Sequence, residues 1–225
     1  LFCVVHSCRE VRPIGGPFPG LWQKPRSRYD ARMCSRFEVN AKPRDLARRF
    51  GFEDLPLDFT EGEVRPTNDV LTVAMAGAEV LKWGLQVDWD TKPLINARAE
   101  TLAEKPTFQP LLESRCLIPA SAYFEWRRDG KARFKNRISL ADNELFAFAG
   151  LTDGTRFTIV TSSPHPSVAD IHNRMPVILA ANTEAAWLDN ALPFAEVCGF
   201  LNRADLNLEA EEDVPPPPRQ PDLFG

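Results

Sequence analysis

The 225-residue chain carries 27 Lys+Arg against 31 Asp+Glu, a net charge of −4, and is 44% hydrophobic and 26% charged. That is the balance of an ordinary globular domain. No apolar run approaches the roughly 18–20 residues of a membrane-spanning helix, which excludes that class. Five scattered cysteines, Cys3, Cys8, Cys34, Cys116 and Cys198, are odd in number and form no CxxC pair. They argue against a disulfide scaffold or zinc knuckle, favour a reducing compartment, and imply neither a metal nor a cofactor.

Residues 1–32 hold six basic and two acidic residues in a Pro-, Gly- and Arg-rich stretch without apolar periodicity. This segment is either a disordered arm or sequence upstream of a true start at Met33. It lacks the basic start and long apolar region of a secretory signal. Residues 33–208, with a net charge of −4, are expected to hold the fold. CSRFEV is a short strand. KPRDLARRFGF forms a helix with Pro43 near its start and Gly51 past its end. VLTVAMAGAEVLKWGL is a hairpin around Ala76-Gly77, and CLIPASAYFEWRRDGKARFKNRISL gives two strands joined at Asp129-Gly130, a pair suited to a tight turn. ELFAFAGL, RFTIVTS and MPVILA are further strands. NTEAAWLDN is a helix with Thr183 as N-cap, and ALPFAEVCGFLN a second helix or a turn of one. The expected class is α+β, a mostly antiparallel, barrel-like sheet with flanking helices. Residues 209–225 read as a disordered tail, in which acidic residues lead into Pro215–Pro218, stiff and extended, and then Leu223-Phe224.

Four motifs carry chemistry: Met33-Cys34-Ser35-Arg36-Phe37, the run Pro93–Thr101 (PLINARAET), Tyr123-Phe124-Glu125-Trp126, and Ile171-His172-Asn173-Arg174-Met175-Pro176. In this order they resemble the SOS response-associated peptidase (SRAP) family over roughly residues 33–205. The resemblance implies a protein that crosslinks to abasic sites in single-stranded DNA through a cysteine made N-terminal by removal of the initiator Met. An N-terminal cysteine offers a 1,2-aminothiol. Its amine forms a Schiff base with the ring-opened sugar aldehyde, and its thiol closes a thiazolidine. Ordinary pKa values of about 8 for the amine and 8.5 for the thiol leave both usable near neutrality. An internal cysteine has only an amide nitrogen, so Cys34 must be exposed as a terminus.

Glu125, on a strand among aromatics, is expected to have a raised pKa suited to acid–base work. The resemblance makes it the group that protonates the sugar ring oxygen and assists crosslink reversal, and makes His172 its supporting proton shuttle. Asn96 and Arg98, two apart in an extended segment, face one cleft. The resemblance has Asn96 orienting Cys34, while Arg98 suits a phosphate. It also places Arg36, Pro66, Thr67, Trp89, Thr161 and Arg174 along a DNA groove, with Trp89 a base-stacking platform. The hairpin cations Arg127, Arg128, Lys131, Arg133, Lys135 and Arg137 either track phosphates or form a solvated face.

Two departures from the family pattern stand out. Glu63 and Arg65 occupy the Asn and Ala positions of its Asn-x-Ala-Pro-Thr run, and Asp88 precedes Trp89 where an aromatic pair is common. The tail tip, with Gln220, Leu223 and Phe224, resembles a bacterial sliding-clamp-binding pentapeptide. The implied protein is a monomer of the bacterial cytoplasm, at the nucleoid. Alternatives are a cysteine peptidase or hydrolase using Cys34 and His172, and a noncatalytic adaptor for single-stranded DNA or the clamp.

Overall fold

A computed structural model describes residues 34–52, 56, 58–202 and 205–213. The expectations placed on residues 1–33, on Met33 and on the clamp-binding tip lie outside the described residues. The elements run β1 (Phe37–Val39), α1 (Pro43–Phe50), β2 (Gly62–Val64), β3 (Asp69–Ala74), β4 (Gly77–Trp83), β5 (Leu85–Val87), β6 (Asp90–Leu94), β7 (Asn96–Arg98), β8 (Arg115–Ala120) and β9 (Ala122–Asp129). There follow β10 (Ala132–Leu140), β11 (Phe146–Thr152), β12 (Arg156–Ser162), β13 (Met175–Pro176), α2 (Ala181–Leu188), α3 (Phe194–Val197) and β14 (Leu208–Glu212), with short 3-10 turns between several of them. The class is α+β with mostly antiparallel sheets, as expected. No helix among the described residues is long and apolar enough to cross a membrane.

Strands β11, β8, β3, β4 and β12 pair in that order, and a β11–β12 pairing closes the ring into a five-stranded barrel. Strand β7 lies parallel to β12 at its rim. A second sheet, in the order β14-β10-β9-β1-β2, packs on the barrel. Alternation along the barrel strands separates two cores. Ile118, Phe148, Phe157 and Ile159 join Phe37, Val64 and Tyr123 of the second sheet. Leu117, Ala147, Ala149 and Val160 instead pack with Trp187, Val197 and Leu201 from the C-terminal helices and turns. Gly150 sits mid-strand because a Cβ there would fall 2.4 Å from the Ile118 side chain.

Helix α1 starts at Pro43 and stops where Gly51, at φ 76°, caps it by donating its N–H to the Ala47 carbonyl. A paired fork joins this helix to α2, with Arg49 donating to both Glu184 oxygens at 2.7 and 2.9 Å. The expected hairpin joins β9 to β10, but Asp129 pairs with Ala132, so the two turn residues are Gly130, at φ 57°, and Lys131.

Four expectations change. The CLIPASAY run is two strands rather than one. Ser121 interrupts it, its hydroxyl accepting the Asn40 N–H at 3.0 Å and donating to the Glu38 carbonyl at 3.1 Å, so β8 belongs to the barrel and β9 to the second sheet. MPVILA pairs as a strand only at Met175–Pro176, because the next amides divide between two strands, Val177 donating to Val160 and Leu179 to Ala147. Thr183 is not the N-cap of α2; Ala180 holds that position, and the Thr183 hydroxyl donates back to its carbonyl. Residues 209–212 of the expected tail form β14 and pair with β10, where Glu212 and Asp213 meet Arg127 and Lys135.

Candidate functional site

The four motifs converge where the second sheet meets the barrel rim. Cys34, just ahead of β1, is buried. Its backbone nitrogen donates to Glu125 Oε1 at 2.6 Å across 91 residues of sequence. Asn96, at the start of β7, donates from Nδ2 to the Cys34 carbonyl at 3.2 Å. The Cys34 thiol donates at 3.8 Å to the Arg36 carbonyl. The residue is therefore fixed on three sides, with its nitrogen and sulfur next to one carboxylate.

Glu125 reaches this position because β9 runs antiparallel to β1 with Tyr123 opposite Phe37, which turns Tyr123 and Glu125 to the core-facing side. Only 2% of Glu125 is exposed. Burial raises its pKa to about 7, against the pull of the Cys34 and Trp126 N–H groups and of Arg133. Burial, and after it the Glu125 charge, pushes the Cys34 thiol well above its ordinary value. A resting thiolate is thus disfavoured, contrary to the sequence expectation of a thiol usable near neutrality. Tyr123 is also buried, its hydroxyl is unpartnered, and burial together with Cys34 and Glu125 drives its pKa up.

His172 Nδ1 lies 3.9 Å from Glu125 Oε1 and 3.2 Å from the Arg174 amide nitrogen. The same Nδ1 lies 3.1 Å from the Arg174 carbonyl oxygen, so the tautomer sets whether it donates there or accepts the amide. The Arg174 backbone holds the ring.

The groove residues divide. Arg98 is exposed at the end of β7. The carboxylate of Glu100 goes to Arg174 in a paired fork, and Arg174 also donates to the Thr161 carbonyl at 2.7 Å. Thr161 itself is fully buried and its hydroxyl donates to the Ala97 carbonyl, so its side chain cannot meet a ligand as the sequence suggested; it braces Arg174. Trp89 is 55% exposed in the turn between β5 and β6. Pro66 and Thr67 form a tight turn ahead of β3, with Thr67 at φ 72°, a costly conformation for a β-branched residue.

A family model described as "SOS response associated peptidase (SRAP)" matches residues 33–211. The chain belongs to the SRAP family. Abasic site processing protein YoqW of Bacillus subtilis is 39% identical, the match covering 70% of this chain and 80% of that protein. Abasic site processing protein YedK of Escherichia coli is 30% identical, covering 69% and 79%. A crystal structure of a protein from Bacteroides thetaiotaomicron superposes with a TM-score of 0.69 at 26% identity, covering 80% of this chain and 91% of that one.

Sequence reasoning missed how this SRAP chain wires its rim. Glu63 accepts from Arg36 at 2.7 Å, from Arg65 at 3.0 and 3.1 Å and from Lys135 at 2.9 Å. The hairpin cations are largely engaged as well: Arg137 with Glu38, Arg127 with Glu212, and Arg133 over the Trp126 ring. The only signal in the sequence was the acidic residue in a run that otherwise keeps Pro66 and Thr67.

Proposed function

We propose that the protein captures abasic sites in single-stranded DNA by forming a thiazolidine between the open sugar aldehyde and Cys34, once Met33 and all before it have been removed. The supporting observation is the 2.6 Å contact between the Cys34 nitrogen and Glu125. It puts the nitrogen and sulfur of one residue beside a carboxylate that titrates at about pH 7, matched to general acid–base work at that pH.

The sequence of steps balances. Protonated Glu125 gives its proton to the sugar ring oxygen while the C1 hydroxyl loses its own to solvent, and the ring opens to the aldehyde. The ionised carboxylate takes a proton from the terminal ammonium, and the free amine attacks the aldehyde carbon, forming a carbinolamine. Glu125 protonates its hydroxyl, which leaves as water, and the nitrogen's proton returns to the Glu125 carboxylate, so an imine remains. The sulfur then bonds to the imine carbon while the thiol proton passes to nitrogen. One C–N and one C–S bond form and one water is lost. A thiol kept protonated by burial suits this order, because the amine acts first and sulfur only after the electrophile is in place. Asn96 holds the Cys34 carbonyl, fixing the nitrogen's direction, and His172 stands 3.9 Å from Glu125 to exchange protons with it.

The hydrolase alternative needs a base at the sulfur. Among the described residues no hydrogen bond joins the Cys34 thiol to His172; the thiol faces the Arg36 carbonyl. The DNA contacts in this reading are Arg36, Pro66, Thr67, Trp89, Arg98 and Arg174. The protein acts as a monomer in the bacterial cytoplasm, brought to replication forks by a tail that docks on the sliding clamp through Gln220, Leu223 and Phe224.

Protein beginning at Cys34 is incubated with a single-stranded oligonucleotide bearing one abasic site and run on a denaturing gel. A shifted covalent band is expected, absent with Cys34→Ala; equal bands from both proteins would refute the reading. Deleting residues 220–225 is expected to abolish clamp pull-down and leave the band unchanged. Undiminished pull-down would remove the clamp from the account.

A further inference from the structure

Arg36, Arg65 and Lys135 come from three separate places, ahead of β1, after β2 and on β10, yet all converge on one carboxylate. The register explains the meeting. Glu63 pairs with Glu38, which pairs with Ala122, so Glu63 projects from the face opposite Glu125. On β9 that face carries Phe124 and Trp126, and Lys135 lies across from Trp126. Lys135 sits 4.0 Å over the Phe124 ring and Arg36 5.5 Å over the Trp126 ring. Aromatic planes thus hold the two cations in place independently of Glu63. The carboxylate takes one N–H from Arg36, two from Arg65 and one from Lys135, the donor arrangement that a doubly oxygenated anion such as a phosphodiester also satisfies. These side chains are 33%, 60% and 23% exposed, and that of Glu63 is 26% exposed. The cradle is therefore open to solvent and to a strand of DNA.

We propose that this cradle is a phosphodiester site in which Glu63 stands in for the phosphate, and that a DNA phosphate displaces the Glu63 carboxylate when the strand docks. The inference rests on the DNA reading given above. Arg36 lies two residues from Cys34, so the phosphate concerned belongs to a nucleotide close to the abasic one. Glu63 keeps three cations converged without a ligand and subtracts one negative charge's worth of attraction for every strand that binds. Undamaged single strands then gain little from the cradle, while a strand held covalently at Cys34 stays long enough to displace the carboxylate. Asp213, 2.8 Å from Lys135, is a second acid on the same cradle and remains paired when Glu63 leaves.

The test uses Cys34→Ala protein, which cannot react, with undamaged single-stranded DNA over a series of salt concentrations. Adding Glu63→Gln is expected to tighten binding three- to tenfold at low salt and to steepen the slope of log K against log salt by about 0.7, the value for one further cation engaged on a single strand. Glu63→Asp, which keeps the charge, is expected to leave that slope as it was. Unchanged or weaker binding by Glu63→Gln, with its melting temperature retained, would overturn the proposal and make Glu63 a structural brace. If Glu63→Asp steepens the slope as much as Glu63→Gln, charge is not the cause and the proposal fails. Should the Cys34→Ala parent not bind single strands at any salt, the DNA reading fails first. A slope change without a covalent band from the Cys34 protein would leave the cradle standing and remove the crosslinking chemistry.

Discussion

Glu125 and Glu63 lie on the same five-stranded sheet, yet one is nearly sealed from water and the other is ringed by cations. Strand alternation puts them on opposite faces. On the core side, burial dominates and Glu125 titrates at about 7. On the outer side, burial works the same way but hydrogen bonds from Lys135 and Arg65, with the charge of Arg36 added, hold Glu63 below the usual carboxylate range. A carboxylate whose burial outweighs the pull of its donors and of Arg133 becomes a proton donor and acceptor near neutrality, whereas one bonded by three cations is a fixed charge. The sheet thus carries on one face a carboxyl that titrates near neutrality and on the other a fixed negative charge.

The contrast is broken most severely at Glu125. Glu125→Gln is expected to slow crosslinking by about 10²–10⁴-fold, the range for a lost acid–base group, read from band intensity against time. The same variant tests the burial argument through stability. A carboxyl that titrates at about 7 when folded and near 4.3 when unfolded keeps its proton longer in the native state. Its contribution is complete below pH 4 and is lost as pH rises through 7. Between pH 4 and pH 8 the wild type should lose about 3 kcal/mol of stability from this group. Glu125→Gln should lack that fall, measured by urea unfolding at the two pH values.

Smaller effects belong to the rim. Trp89→Ala is expected to weaken single-strand binding by about 1–3 kcal/mol, the worth of one base stacked on an aromatic, with no change in the salt slope. Arg174→Ala is expected to reduce that slope by about 0.7. Retention of the full slope would mean that Arg174 serves only Glu100 and Thr161.

Local chemistry made much of the fold readable. Gly130 marked the β9–β10 turn, one residue later than Asp129-Gly130 suggested, and Pro43 and Gly51 bracketed α1. The division of CLIPASAY was hidden because both halves are apolar, and only the Ser121 contacts with Glu38 and Asn40 separate them. β14 was hidden because an acidic run next to polyproline has the composition of a tail, and its pairing depends on cations about 75–85 residues earlier. The site shows the same limit. Cys34, Asn96, Glu125 and His172 were legible as an ordered set of motifs, but that the Cys34 nitrogen meets Glu125 follows from antiparallel register. Glu63 looked like a substitution, and its three partners emerge only once β2, β1 and β10 share a sheet.

The central claim is a bond to both heteroatoms of Cys34. Intact-mass measurement of the crosslinked species, followed by sequencing of its modified peptide, tests this directly. The account predicts a mass equal to protein beginning at Cys34 plus the oligonucleotide less one water, with the modification on the first residue. An adduct on protein retaining residues ahead of Cys34, or one on any other side chain, would contradict it.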